Sequence, residues 1–139
     1  MAIYKQTVNE IKVAAVTVNP NGRFEEGRVV DLSQKFKGSY PMIWLYPWRI
    51  SDPDPRNFLY RHPLVIGFWE PDKPHSSVEE RREIIHRMEV LKDLFVAKLK
   101  EQNPQHQISA LFSEPQYQMH NQTVSGYAVS FTYENFSPC

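Results

Sequence analysis

The sequence predicts an α+β domain, a mainly antiparallel β-sheet with one long amphipathic helix across a face and a short amino-terminal helix packed on it. Three observations carry that prediction. Residues 76–102 place Ile84, Met88, Leu91, Phe95 and Leu99 at intervals of three and four, widened by Ile85 and Leu94, which is one face of an α-helix. Residues 124–134 alternate with period two: Tyr127, Val129, Phe131 and Tyr133 point one way, and Ala128, Ser130, Thr132 and Glu134 the other. Residues 40–48 are apolar nearly throughout and bounded by Pro41 and Pro47, as in a central strand covered on both faces.

From the amino terminus, residues 7–18 suit either a helix or a strand. Val8, Ile11, Ala15 and Val18 make a helical face with Asn9, Glu10 and Lys12 opposite, which favours a short amphipathic helix. Asn19-Pro20-Asn21-Gly22 is a turn. Residues 23–32 follow, with Gly27 as punctuation and Val29-Val30-Asp31-Leu32 as a short strand. After the strand within residues 40–48, Asp52-Pro53-Asp54-Pro55 can form neither helix nor central strand and marks an exposed loop over residues 51–57.

Residues 58–70 return to strand character through Leu64, Val65, Ile66, Phe68 and Trp69. Pro63 would cost a ladder hydrogen bond there, so the strand is expected to begin after it or bulge at it. Pro71-Asp72-Lys73-Pro74 breaks the sheet and leads to the long helix, about residues 77–102. Ser76 with Glu79 and Ser77 with Glu80 both have capping-box spacing. Glu79, Glu80 and Glu83 suit the positive end of the helix dipole, and Lys98 and Lys100 the negative end. Arg82, Glu89, Lys92 and Asp93 are assigned to the solvent face, and Asn103-Pro104 stops the helix after ~35–40 Å. Residues 108–112 read as a short strand, and residues 114–123 as a bent strand or loop.

The 139 residues make one domain over residues 1–139, long enough for a real core. Sixteen basic and sixteen acidic residues cancel, which argues against general affinity for nucleic acid or anionic membrane. Cys139, the single cysteine, leaves no internal disulfide, so a reducing compartment is expected. No signal-type or membrane-length apolar run is present, and the acceptor patterns at Asn121 and Asn135 are read as chance.

Chemical signals are weak. His62, His75, His86, His106 and His120 lack zinc-site spacing, and Glu83-Ile84-Ile85-His86 lacks the second motif that a di-iron bundle needs. Asp52 and Asp54 sit on the exposed loop with nothing to separate their pKa values. Ser125-Gly126 lacks a nucleophile-elbow context, and Cys139 has no basic neighbour. No enzyme activity, metal or cofactor is expected. Trp44, Tyr46, Phe68 and Trp69 are read as core. Trp48, Arg49, Arg56 and Phe58 flank the proline-rich loop and are the types enriched in interface cores, so they form the candidate subunit or partner interface.

Several stretches together carry a resemblance. They are Tyr40-Pro41-Met42-Ile43-Trp44-Leu45, then Val65-Ile66-Gly67-Phe68-Trp69-Glu70-Pro71-Asp72, the long helix, and Gly126-Tyr127-Ala128-Val129-Ser130-Phe131. In that order they resemble the small tail-completion or tail-terminator proteins of tailed bacteriophages and prophage-like particles. The resemblance implies an antiparallel sheet backed by helices, with copies assembled into a ring, commonly a hexamer. Such a ring caps the tail tube and joins it to the neck. It further implies a virion location in the tail-neck region, synthesis in the host cytoplasm, and tail tube and neck or connector proteins as partners. No catalytic residues, membrane or specific nucleic acid are implied. A head-tail connector of another layer is the nearest alternative. A single-stranded nucleic-acid module using the aromatic and basic residues around the loop is a second, and an enzyme of unknown type a third.

Overall fold

The computed structural model describes residues 3–28, 39–50, 59–73, 75–118 and 124–136. Among these, two helices and five strands follow the order α1 (Ile3–Val18), β1 (Arg23–Glu26), β2 (Met42–Leu45), β3 (Leu59–Pro71), α2 (Val78–Gln102), β4 (Gln107–Gln118) and β5 (Val124–Phe136). The strands form one sheet ordered β1-β2-β3-β5-β4. β1 runs parallel to β2, and every other pairing is antiparallel. The chain adopts the expected α+β class with a first helix and a longer second one, and the first helix begins at Ile3, four residues before the expected Thr7.

The α2 stripe behaves as its spacing requires. Ile84, Met88, Leu91, Phe95 and Leu99 are buried, and they cover β3 and β5 while α2 packs on α1. Phe95 meets Phe68 of β3 edge to face, with ring centroids 5.6 Å apart. Of the two candidate caps Ser77 acts, accepting a hydrogen bond from the Glu80 amide at 3.0 Å. The helix ends where Asn103 donates its amide to the Leu99 carbonyl.

Two assignments on α2 are corrected. Leu94 is 52% exposed and does not widen the stripe. Lys92 is buried: its stem lies in the packed face while Nζ reaches Asp93 at 2.7 Å and sits 5.2 Å from the Tyr127 ring centroid. A lysine can occupy a half-apolar position because only its terminus needs water or a partner, which residue-type periodicity cannot reveal.

On the helix-covered face, Ile43 and Leu45 of β2, Leu64, Ile66 and Phe68 of β3, and Val129, Phe131 and Tyr133 of β5 join Val8, Ile11, Ala14 and Ala15 of α1 in the main core. The opposite face holds a smaller cluster of Met42, Trp44, Trp69 and Val124, with Tyr40 and Tyr46 packed against it. β2 is therefore buried on both sides, as its unbroken apolar run requires. Trp69 folds back over Gly67, where a Cβ would collide with the indole. The Tyr40–Pro41 peptide is cis.

Strand bounds differ from those expected. The described strand before β2 is Arg23–Glu26, and the expected strand at residues 29–32 lies outside the described residues. Only Phe24 of β1 packs on the core, so the element leaves little periodic trace. β3 begins before Pro63 and runs straight through it, in register with Thr132. Tyr46 donates to the Val65 carbonyl, so the polar groups of Val65, and of Pro63 two residues back, face the β2 side, where β2 has already ended. The proline therefore forfeits no ladder bond. The strand expected at residues 108–112 is part of β4, which continues to Gln118, so the described residues from 114 take the strand form of their two expected alternatives. A bulge between Ser109 and Phe112, with Ala110 at φ 54°, interrupts its pattern. The expected loop at residues 51–57 lies outside the described residues.

Candidate functional site

At one end of the helix-covered face the apolar rows finish in polar residues. Along β3 the row of Phe68, Ile66 and Leu64 ends in His62, and along β5 the row of Val129, Phe131 and Tyr133 ends in Asn135. α1 lays Thr7 and Glu10, one turn apart, over the same spot. Trp48 arrives just beyond β2, and His106 from the turn after α2, where its amide donates to the Asn103 carbonyl. His62, Thr7 and Asn135 have no solvent exposure.

Donor and acceptor counting fixes the arrangement. Trp48 Nε1–H has only a donor role, so His62 Nδ1, at 3.0 Å, is the acceptor. His62 is thus neutral with its hydrogen on Nε2, which donates to Asn135 Oδ1 at 2.7 Å and lies 3.3 Å from Thr7 Oγ1. Asn135 Nδ2 donates to Thr7 Oγ1 at 2.9 Å and to Glu10 Oε1 at 3.0 Å, while Thr7 Oγ1 donates to the Ile3 carbonyl. Tyr133 OH lies 3.4 Å from Glu10 Oε2 and 2.9 Å from His106 Nδ1. Burial holds the His62 pKa below the usual histidine value, outweighing the Asn135 hydrogen bond and the Glu10 charge. Burial also raises the Tyr133 phenol, and Glu10 adds to the shift.

Trp48 is consequently seated and not free. Its indole stacks on Tyr4 at 4.9 Å between centroids and meets His62 edge-on at 5.9 Å. Arg49 next to it is exposed, whereas Arg56 and Phe58 lie outside the described residues. Beside the cluster, α1 and the end of α2 leave a groove of about 400 Å³ lined by Gln6, Asn9, Glu10, Val13, Gln102 and Asn103.

The histidines separate by role. His62 and His106 join one hydrogen-bonded cluster through Tyr133, His75 and His86 are on the surface, and His120 is outside the described residues. Glu83 and His86 both face solvent. Among the described residues no three His, Cys, Asp or Glu side chains converge as a metal would need. No described helix is long and apolar enough to cross a membrane.

Sequence reading missed Thr7, Glu10 and Asn135, and it placed Glu10 on the solvent side of α1 with Asn9 and Lys12. Asn9 and Lys12 are exposed, but Glu10 turns towards Asn135 and Tyr133. A signal did exist: His62 and Asn135 are polar residues in phase with apolar strand rows, and a buried polar side chain needs partners.

A second feature is a set of exposed apolar side chains on β4. β4 is an outer strand of the sheet, and Leu111, Phe112 and Tyr117 on it are 48%, 62% and 57% exposed. Its bulge and Pro115 are features of strands that keep a free edge. Tyr117 also closes a groove with Val78, Arg81, Arg82 and Ile85 of α2. β1, at the other end of the strand order, leaves the sheet a second, short edge. No protein-family model matches this sequence, and no curated protein matches it.

Proposed function

We propose that this chain is a structural, non-enzymatic virion protein. It forms a ring, a hexamer by the family's habit, at the head-proximal end of a phage-like tail tube, completes the tail and joins it to the neck. The observation that carries this reading is that, among the described residues, the sheet has two edge strands, β1 and β4, at opposite ends of its strand order. A closed ring requires a heterologous contact, in which two different surfaces of each subunit meet. β4 supplies one of them with a long open edge and three exposed apolar side chains. The tail-terminator-like stretches add support, since they fall on β2, β3, α2 and β5, the elements that build the sheet and its cover. Synthesis in the host cytoplasm and residence at the tail-neck junction belong to the same reading.

Light scattering of the purified chain, with negative-stain microscopy in the presence and absence of a tail tube, is the test. Closed rings, alone or on tube ends, are the expected result. A chain that stays monomeric at high concentration and does not bind tube ends overturns the proposal. So does salt-dependent oligonucleotide binding that is lost when Arg49 and Arg56 are changed to alanine.

A further inference from the structure

We propose that His62 and Trp48 form a proton-operated latch: a proton taken from solvent at His62 Nδ1 breaks the indole hydrogen bond and releases Trp48 from its seat against Tyr4. The latch is a property of the single chain and does not depend on ring assembly.

The hydrogen-bond accounting leaves the proton one place to go. Nε2 already carries hydrogen and is committed to Asn135 Oδ1 at 2.7 Å. Asn135 cannot rotate its amide to compensate, because both its N–H groups are used, one on Thr7 Oγ1 and one on Glu10 Oε1. Thr7 in turn spends its hydroxyl hydrogen on the Ile3 carbonyl. Only Nδ1 has a free lone pair, and that pair accepts the Trp48 N–H. Protonating it sets two N–H groups head to head at a 3.0 Å separation. Neither an indole N–H nor an imidazolium N–H can act as acceptor, so the contact changes from attraction to repulsion.

Charged and titratable groups approach His62 from α1, β3, β5 and the turn before β4. α1 contributes Glu10, held by Asn135, and Tyr4, whose hydroxyl donates to Glu26. β3 contributes Tyr60, stacked at 6.5 Å, and Arg61, which is paired with Glu134 of β5. β5 contributes Tyr133, and the turn before β4 contributes His106, whose Nδ1 lies 2.9 Å from that phenol and 3.4 Å from Glu10 Oε2. The Glu10 charge favours the imidazolium, and Asn135 hydrogen-bonds to both groups. Burial opposes protonation and prevails, so the latch is closed at neutral pH and opens below the usual histidine range. Trp48 is the side chain that turns loose, and it adjoins the exposed Arg49.

The full chain is titrated from about pH 7.5 to about pH 5, following indole N–H and histidine ring resonances by NMR. The Trp48 indole signal is identified by its loss in Trp48→Phe. It is expected to leave its hydrogen-bonded position in step with His62, while the Trp44 indole, bonded to the Gly27 carbonyl, and the far-UV dichroism stay constant. His62→Asn puts a non-titrating amide oxygen near the Nδ1 position, so Trp48 should remain bonded throughout. His62→Gln mimics the Nε2 side alone, so Trp48 should be loose already at neutral pH. A wild-type indole that stays bonded while His62 titrates overturns the latch, as does a shift that persists in His62→Asn, or loss of the fold before His62 titrates. Should both amide variants fail to fold, Trp48→Phe decides. Removing the donor to Nδ1 is expected to let His62 take up its proton at higher pH, and an unchanged or lower titration overturns the proposal.

Discussion

Asp72 shows how much of the link between sheet and helix rests on single side chains. Its carboxylate is shut away from solvent, yet Oδ2 accepts from Ser125 Oγ at 2.5 Å and from Arg81 Nε at 3.1 Å. Arg81 extends the link to Ser76 Oγ at 2.9 Å. One carboxylate therefore ties the end of β3, the start of α2 and the start of β5. Burial works against its charge, but the hydrogen bonds from Ser125, Ser76 and Arg81 and the guanidinium charge outweigh it and hold the pKa below the ordinary 3.8. Arg81→Ala strips a charged hydrogen bond from a buried anion and is expected to cost about 2 kcal/mol in urea denaturation. Because the folded-state pKa is depressed, the stabilisation is present above the ordinary carboxyl range and lost as pH falls through the folded value. The stability difference between wild type and Asp72→Asn should therefore narrow on acidification below about pH 4. A difference that stays constant through that range would remove the ion pair from the account.

At the scale of the element, α2 divides its side chains between a packed face and a wet one, and neighbours in sequence differ sharply. Phe95 is fully buried against Phe68, whereas Leu94 is half exposed. Phe95→Ala is expected to cost about 3–5 kcal/mol, the combined transfer and cavity penalty of a core aromatic. Leu94→Glu should change stability by no more than about 0.5 kcal/mol. Chemical denaturation of the two variants checks the assignment, and a large loss in Leu94→Glu would contradict it. Strands β3 and β5, paired over their whole lengths, form the centre of the sheet, and among the described strands β4 pairs with β5 only, while α2 also touches it. The bulge at Ala110 and Leu111 falls between two paired stretches of β4, so it bends the edge without detaching it.

At the scale of the molecule, helices cover one face of the sheet and, among the described residues, β1 and β4 pair with a strand on one side only, a layout suited to side-by-side assembly. Val65, 40% exposed on β3, and Phe112 on β4 both lie opposite Ser130 of β5, giving an apolar patch on the face away from the helices. If β4 is a subunit joint, Phe112→Lys should abolish or weaken ring formation in light scattering while leaving the single chain's stability within about 0.5 kcal/mol. Unaltered rings would move the joint elsewhere. Of the interface residues chosen from sequence, Trp48 is partly buried, Arg49 is exposed, and Arg56 and Phe58 lie outside the described residues. Trp48 has the composition of an interface anchor, but it is held by Tyr4 and His62, from elements distant in the chain. Leu111 and Phe112 lay within an expected strand and gave no sign that its outer side would be bare.

Residue order alone determined the class of the fold: the α2 stripe, its serine cap and asparagine stop, the doubly buried β2 and the alternation of β5. Each of these is a local pattern, set by the periods of helix and strand and by which side chains avoid water. Folding in three dimensions decided the rest. It placed β1 beside β2, carried β3 through Pro63 because the proline nitrogen faces a side β2 has vacated, buried Lys92 by its stem and exposed Leu94. It also gathered Thr7, Glu10, Trp48, His62, His106, Tyr133 and Asn135 into one polar cluster from separate parts of the chain. Local periodicity records which face of an element is buried, not what waits on the other side, and that cluster exists only where five segments meet.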